Sequence, residues 1–164
     1  MRNVFFIGDT HFGHNNMVVK YDRTYFDCLE DMHETLIDNW NSVVNPSDIV
    51  WHLGDVAFGR ANVDMISRCN GEKRLIMGNH DVYGVELYSK YFTKIFGANQ
   101  YKSAILSHIP IHHTQKYRFD INIHGHVHHK DPILEASDFY YNVGADHTNL
   151  TPVHWEDIKA ACKI

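Results

Sequence analysis

Three short apolar runs each end by releasing charged or amide side chains into a loop. Asp9-Thr10-His11 follows residues 3–7, Gly54-Asp55 follows 48–53, and Gly78-Asn79-His80-Asp81 follows 73–77. Two histidine groups come later: His108 in Ser107-His108-Ile109-Pro110, with His112-His113 behind it, and His124-Gly125-His126-Val127-His128-His129. Carboxylate, amide oxygen and imidazole together form a donor set for divalent cations. Thiolate is not part of it: Cys28, Cys69 and Cys162 are widely spaced, with no C-x-x-C pair, and read as reduced thiols in or near the core. A metal held by histidine, carboxylate and amide points to a catalytic centre rather than a structural one. In an extended segment His126 and His128 would alternate onto one side and face the same ion or ion pair. Gly8, Gly54 and Gly78 let the chain turn sharply and approach an ion closely.

The elements that must position these residues follow from periodicity. Leu29, Met32, Leu36, Ile37, Trp40, Val43 and Val44 recur at three- and four-residue spacing, which predicts an amphipathic helix over 27–44, ended by Asn45-Pro46. Short helices are expected over 60–69, closed by Asn70-Gly71, and over 84–90. A short strand is expected at 93–96, longer ones at 101–107, 120–124 and 139–143, and a last helix from about Pro152 to about Cys162. The first half reads as βαβαβ and the second as mostly β. The expected fold class is therefore α/β, a sandwich of mixed sheets flanked by helices, in a single domain over 1–164. In such sheets the loops at the carboxyl ends of the strands converge on one crevice, so the three loop groups should meet in space.

Composition narrows the class of function. A chain of 164 residues that is 44% hydrophobic can build one core and is not disordered. No apolar run approaches the roughly 20 residues of a membrane span, and residues 4–7 are too short for a signal-peptide core. A cytoplasmic location is expected, in the host cytoplasm if the gene belongs to a phage. A net charge of −5 argues against non-specific nucleic-acid binding through a broad basic face, yet leaves room for a local site that holds phosphate through metals. Histidine is in excess, with 14 residues against 15 lysines and arginines together.

Taken in order, Asp9–His11, Gly54–Gly59, Gly78–Asp81, His108–Pro110 and Gly125–His128 resemble the five motifs of the calcineurin-like metallophosphoesterase superfamily: D-x-H, G-D-x-x-x-G, G-N-H-D/E, an H-x-P type and G-H-x-H. The short length, and Asn142-Val143-Gly144 leading to Thr151-Pro152, resemble its smallest bacterial and phage-encoded members. The resemblance implies a metallophosphoesterase-type β-sandwich and two divalent ions about 3.5 Å apart. Asp9, His11 and His128 would hold the first ion, Asn79, His108 and His126 the second, and Asp55 would bridge them. Mn²⁺ leads the candidates, with Fe, Zn²⁺, Ni²⁺ and Mg²⁺ as alternatives. Two divalent ions against Asp9 and Asp55 leave positive charge for a phosphate ester and a bridging hydroxide that attacks phosphorus directly. Catalytic roles fall to Asp55, Asn79 and His80, the last steadying the phosphoryl group or protonating the leaving oxygen. Some relatives orient that histidine with a carboxylate three residues past the G-D aspartate. Phe58 occupies the position here, so His80 acts alone or with Asp81 or another acid.

The implied activity is hydrolysis of phosphate esters, with phosphodiesters favoured and a nucleotide or oligonucleotide as a possible substrate. Two alternatives stand beside it: a phosphomonoesterase (nucleotidase or protein phosphatase) on the same site, and a non-catalytic metal-binding scaffold for protein partners. His14 and His112 are candidates for a substrate phosphate or plain loop residues. His52 and His124 read as strand histidines, or as hydrogen-bond partners behind the ligands. Lys116-Tyr117-Arg118 reads as a basic lip or a solvated turn. The oligomeric state is left open.

Overall fold

The computed structural model describes residues 2–135 and 137–164. The chain opens with strand β1 (Val4–Ile7), a short helix α1 (Asn15–Val19), the long helix α2 (Leu29–Val43) and β2 (Ile49–His52). A 3₁₀ segment (Arg60–Arg68), β3 (Glu72–Ile76), α3 (Val85–Tyr88) and β4 (Lys94–Phe96) follow. The second half holds β5 (Ala98–Tyr101), β6 (Ala104–Ser107), β7 (Ile121–His124), α4 (Pro132–Glu135), β8 (Tyr140–Asn142), β9 (Val153–His154) and α5 (Trp155–Cys162). Two mixed sheets result. The first runs β4-β3-β2-β1-β9, parallel except for β9, and the second runs β5-β6-β7-β8, parallel except for β5.

The two-residue period of the strands gives the first sheet two apolar faces. Phe5, Ile7, Val50 and Leu75 pack on Met32, Leu36, Ile37 and Trp40 of α2 and on Val63 and Ile66 of the 3₁₀ segment. The alternate residues Phe6, Trp51 and Ile76 join Leu106, Ile121 and Ile123 of the second sheet and Trp155 and Ile158 of α5 in a second cluster. At one end the sheets touch directly: Gly8 N–H donates to Val143 O at 2.9 Å and Ala145 N–H donates to Gly8 O at 2.9 Å. The candidate site lies at this end. Among the described residues no helix is long and apolar enough to cross a membrane.

Several elements differ from the expectations. Residues 60–68 wind as 3₁₀ because Val63 and Ile66, three apart, share one face of a three-residue turn. The expected strand over 101–107 is the second half of a hairpin: Lys102 takes φ 52° and reverses the chain between β5 and β6. The last helix begins at Trp155 rather than Pro152, because Val153 and His154 pair with Phe6 and Phe5 as β9. The His154 ring then accepts the Glu156 N–H as the helix N-cap. Helix α1 was not expected. Cys69 is buried and Cys162 half-buried, but Cys28 is exposed ahead of α2 rather than in the core.

Candidate metal centre

The loops after β1, β2 and β3 do converge, the first two on left-handed backbone. Asp9, His11 and Asp55 have φ of 55°, 50° and 56°, and all three are buried. The backbone holds these turns: Asp9 N–H donates to Gly54 O at 2.9 Å and His11 N–H to Asp55 O at 3.1 Å. Two glycines are required by close approach. A Cβ on Gly54 (φ +93°) would lie 2.6 Å from both Gly78 N and His108 Nδ1, and one on Gly78 would lie 2.2 Å from Asp55 Oδ1. Gly8 is under no such constraint, since its nearest contacts are ordinary ones at 3.5 Å.

Two nests of donors form around Asp55. In the first, His11 Nε2 lies 3.2 Å from His128 Nε2, 4.0 Å from Asp9 Oδ1 and 3.8 Å from Asp55 Oδ2. In the second, His108 Nε2 lies 2.9 Å from Asn79 Oδ1, 3.2 Å from His126 Nδ1 and 3.5 Å from Asp55 Oδ1. His126 and His128 therefore do not face one ion from an extended strand. His126 has φ 69°, Val127 N–H turns back to Gly125 O, and the two rings go to different nests.

The nests suit cations. His108 Nδ1 is 2.7 Å from Leu53 O. A carbonyl only accepts, so Nδ1 carries the hydrogen and neutral His108 presents a bare Nε2 lone pair to the oxygens of Asn79 and Asp55. His128 Nδ1 donates to Asp146 Oδ2 at 2.7 Å and turns its Nε2 inward in the same way. Asp9 Oδ1 is buried with no hydrogen-bond partner, and burial pushes the Asp9 carboxyl up to about 6. Nitrogen and oxygen lone pairs that converge in this way need a positive charge among them, a proton or a metal ion. Asp9–His11–His128 and Asp55–His108–His126 are each close enough to share one ion. Burial holds His11 and His126 below the usual imidazole range, in the neutral form a cation needs.

Support for the nests comes partly from residues that carried no assignment. Arg23 is 0% exposed. It donates to Asp9 O at 2.5 Å, Thr10 O at 2.8 Å and Asp146 Oδ1 at 2.7 Å. Burial acts to raise the Asp146 carboxyl, but the bonds from His128 and Arg23 outweigh it and hold it well below the carboxylate range. Burial likewise acts to lower His128, and its bond to Asp146 outweighs that and raises it. Asp146 had a weaker signal of the same kind: it follows a strand end and Gly144, one residue further on than Asp9 and Asp55 follow their glycines. Arg23 had no such signal.

Asp81 is a clamp rather than a helper for His80. Its carboxylate accepts N–H from Gly78 and Asp55 at 2.8 Å and from Val56 at 3.0 Å, tying two loops together. His52 does more than fill a strand: its Nδ1 accepts Gly54 N–H at 3.2 Å and its Nε2 meets Thr10 Oγ1 at 2.9 Å. His80 is 43% exposed at the mouth, with Nε2 4.0 Å from Asp55 Oδ2. His14 lines the same cleft. His112 does not; it is exposed and caps a 3₁₀ turn by accepting Thr114 N–H. Lys116 pairs with Asp138, and residues 116–118 do not line the cleft.

No family model matches the chain. It is 34% identical over 161 residues to an uncharacterized protein of Methanocaldococcus jannaschii, covering 93% of this chain and 87% of that one. It is 32% identical to the Gene 66 protein of Mycobacterium phage L5, with 78% of each chain covered. Among solved structures, a protein of unknown function from Aquifex aeolicus shares the fold, with TM-score 0.80 at 24% identity over 98% of this chain and 100% of that one. A metallophosphoesterase from Sphaerobacter thermophilus superposes only loosely, with TM-score 0.41 at 14% identity over 93% of this chain and 68% of that one. By similarity over 93% and 78% of its length respectively, this protein belongs to one family with the uncharacterized archaeal protein and the mycobacteriophage Gene 66 protein.

Proposed function

We propose that the protein is a binuclear metal-dependent phosphoesterase of metallophosphoesterase-type β-sandwich fold, acting on phosphate esters and preferentially on phosphodiesters. One observation carries the reading. The two oxygens of the buried Asp55 carboxylate face different imidazole clusters, Oδ1 toward His108 and Oδ2 toward His11. A single bridging carboxylate between two nitrogen-rich nests is what a two-cation site needs.

In this reading Asp9, His11 and His128 hold one ion, and Asn79, His108 and His126 the other. Mn²⁺ is the first choice for such borderline donors, with Fe, Zn²⁺, Ni²⁺ and Mg²⁺ as competitors. Divalent ions bound there supply Lewis acidity toward the phosphate and ionisation of a water near neutral pH. The chain's own residues do the rest. Asp9 and Asp55 stand at fixed, buried positions, so their charge acts through little water. Asn79 turns its amide oxygen into the second nest, which leaves its NH₂ to restrain a substrate oxygen. His80 has its backbone N–H anchored on Asp55 Oδ1 at 2.9 Å while its ring stays at the mouth. From there it can donate a hydrogen bond to the phosphoryl group or a proton to the leaving oxygen. The cleft in front is open and about 500 Å³, room for an ester with substituents on both sides of phosphorus.

Stripping the protein of metal and reloading it with Mn²⁺ should restore hydrolysis of an aryl phosphodiester, with a higher kcat/KM than on the matching monoester. His80→Ala should keep its metal content and lose turnover by roughly 10²–10⁴-fold. A metal-loaded wild type inert on both esters would sink the proposal.

A further inference from the structure

Phe58 stands three residues after Asp55, is 40% exposed, and lines the cleft beside His11, His80 and His128. This large apolar ring belongs to neither hydrophobic core and stands open to water at the mouth of a polar cleft. Its position is nevertheless rigid. Phe58 N–H donates to Phe12 O at 2.7 Å, Phe12 N–H donates to Val56 O at 3.0 Å, and Asn62 Nδ2 donates to Phe58 O at 2.6 Å. His14 stacks on the ring at 4.0 Å with planes 12° apart, and the His80 ring lies 5.2 Å away. Tyr21, 46% exposed, lines the same cleft with its ring 6.1 Å from His14. The aromatic surface therefore begins within one ring's reach of His80.

We propose that Phe58, backed by His14 and flanked by Tyr21, is a stacking platform for a nucleobase-sized aromatic ring carried by the phosphate ester, which makes nucleotide-scale esters the substrate class. The proposal rests on the phosphoesterase reading above. Stacking on an aromatic side chain tolerates any base, because every base has a π-face. A ring set on a pinned backbone and stacked on His14 has less freedom to lose when a ligand arrives, so more of the contact appears as affinity. Scale follows from charge. Among the described residues, those lining the cleft include no Lys or Arg and do include Asp22, and Lys20, 5.5 Å over the Tyr21 ring, is a single cation rather than a basic track for a long polyanion. The fit is to a nucleotide, a dinucleotide or a cyclic nucleotide rather than to a long strand.

Two arms test this with Phe58→Leu, Phe58→Trp and Tyr21→Ala, thermal midpoints confirming that each variant is folded. By calorimetry, wild type should bind adenosine monophosphate about tenfold more tightly than ribose 5-phosphate, which carries the same phosphate without the ring. Phe58→Leu should abolish that ratio, Phe58→Trp should keep it, and Tyr21→Ala should reduce it. Equal binding by wild type, or a ratio unchanged in Phe58→Leu, overturns the platform. In the kinetic arm, Mn²⁺-loaded enzyme is compared on a nucleoside aryl phosphodiester and on methyl aryl phosphate. Phe58→Leu should lower the nucleoside-to-methyl selectivity about tenfold, mainly through KM. Hydrolysis of both esters without ring preference rejects the platform and leaves the phosphoesterase reading standing. Ring-dependent nucleotide binding without any hydrolysis does the reverse.

Discussion

The two sheets deliver their site residues in different ways. The first sheet hands over Asp9, His11 and Asp55 directly at its strand ends, on left-handed backbone pinned by main-chain hydrogen bonds and by the Asp81 and His52 side chains. The second sheet supplies His108, His126 and His128, and two of these rings are aimed by one remote bond each: His108 by Leu53 O and His128 by Asp146. The difference is physical. A buried carboxylate with an imidazole cluster on each side is held in place here by the backbone it stands on. An imidazole needs a defined tautomer and ring plane, and a single acceptor behind it gives both. The outer partners also differ, a neutral carbonyl behind His108 and a charged Asp146–Arg23 pair behind His128.

This contrast can be broken at several points. The largest effect on folding is expected at Arg23, because Arg23→Ala leaves the buried Asp146 carboxylate with His128 as its one remaining partner among the described residues and takes the donor from the Asp9 and Thr10 carbonyls. A loss of about 3–5 kcal/mol should appear in urea unfolding. A loss under 1 kcal/mol would mean that the network adds little. For function the steepest loss belongs to the shared residue: Asp55→Ala should release metal from both nests and cut activity by more than the about 100-fold typical of an outer partner.

Asp146→Asn separates the nests. It should weaken binding of one ion by roughly 10- to 100-fold and leave the other tight, so that metal titration turns from two strong sites to one strong and one weak. Equal weakening of both would deny the pairing drawn here.

The smallest effect is on stability against pH, and it belongs to the first sheet's side. His52 is pushed down to about 3 and His33, which accepts Gly13 N–H at 2.8 Å, is also lowered, both by burial. The unfolded chain takes up these protons near the usual 6.5 and the folded one refuses them. Their contribution is therefore complete above pH 6.5 and is lost as the pH falls from there toward 3. Urea midpoints for metal-free protein should drop between pH 7 and pH 5, and His33→Gln should show a shallower drop.

Much of this was legible beforehand because it is local. A strand ending in glycine and then an acid shows in the residues themselves, and the three- and four-residue spacing of α2 needs only its own segment. What stayed hidden had its cause elsewhere in the chain. The expected strand at 101–107 became a hairpin because Lys102 accepts a left-handed turn, which its residue type does not announce. The last helix starts late because β1 claims Val153 and His154. Arg23 is the clearest case: nothing near it distinguishes it from a surface arginine, and it is buried only because Asp146, 123 residues away, is brought to it.

The sequence by itself determined which donors the site would contain and that they would gather at the carboxyl ends of strands. Residue type and strand ends are properties of neighbours along the chain. The motif resemblance already assigned the donors to two sets, with Asp55 between them and His126 and His128 apart; residue type and spacing alone did not, and the tertiary structure supplied the geometry that parts them. That geometry depends on how one sheet lies on the other, which brings His11 against His128 across 117 residues and turns each bare lone pair toward a carboxylate.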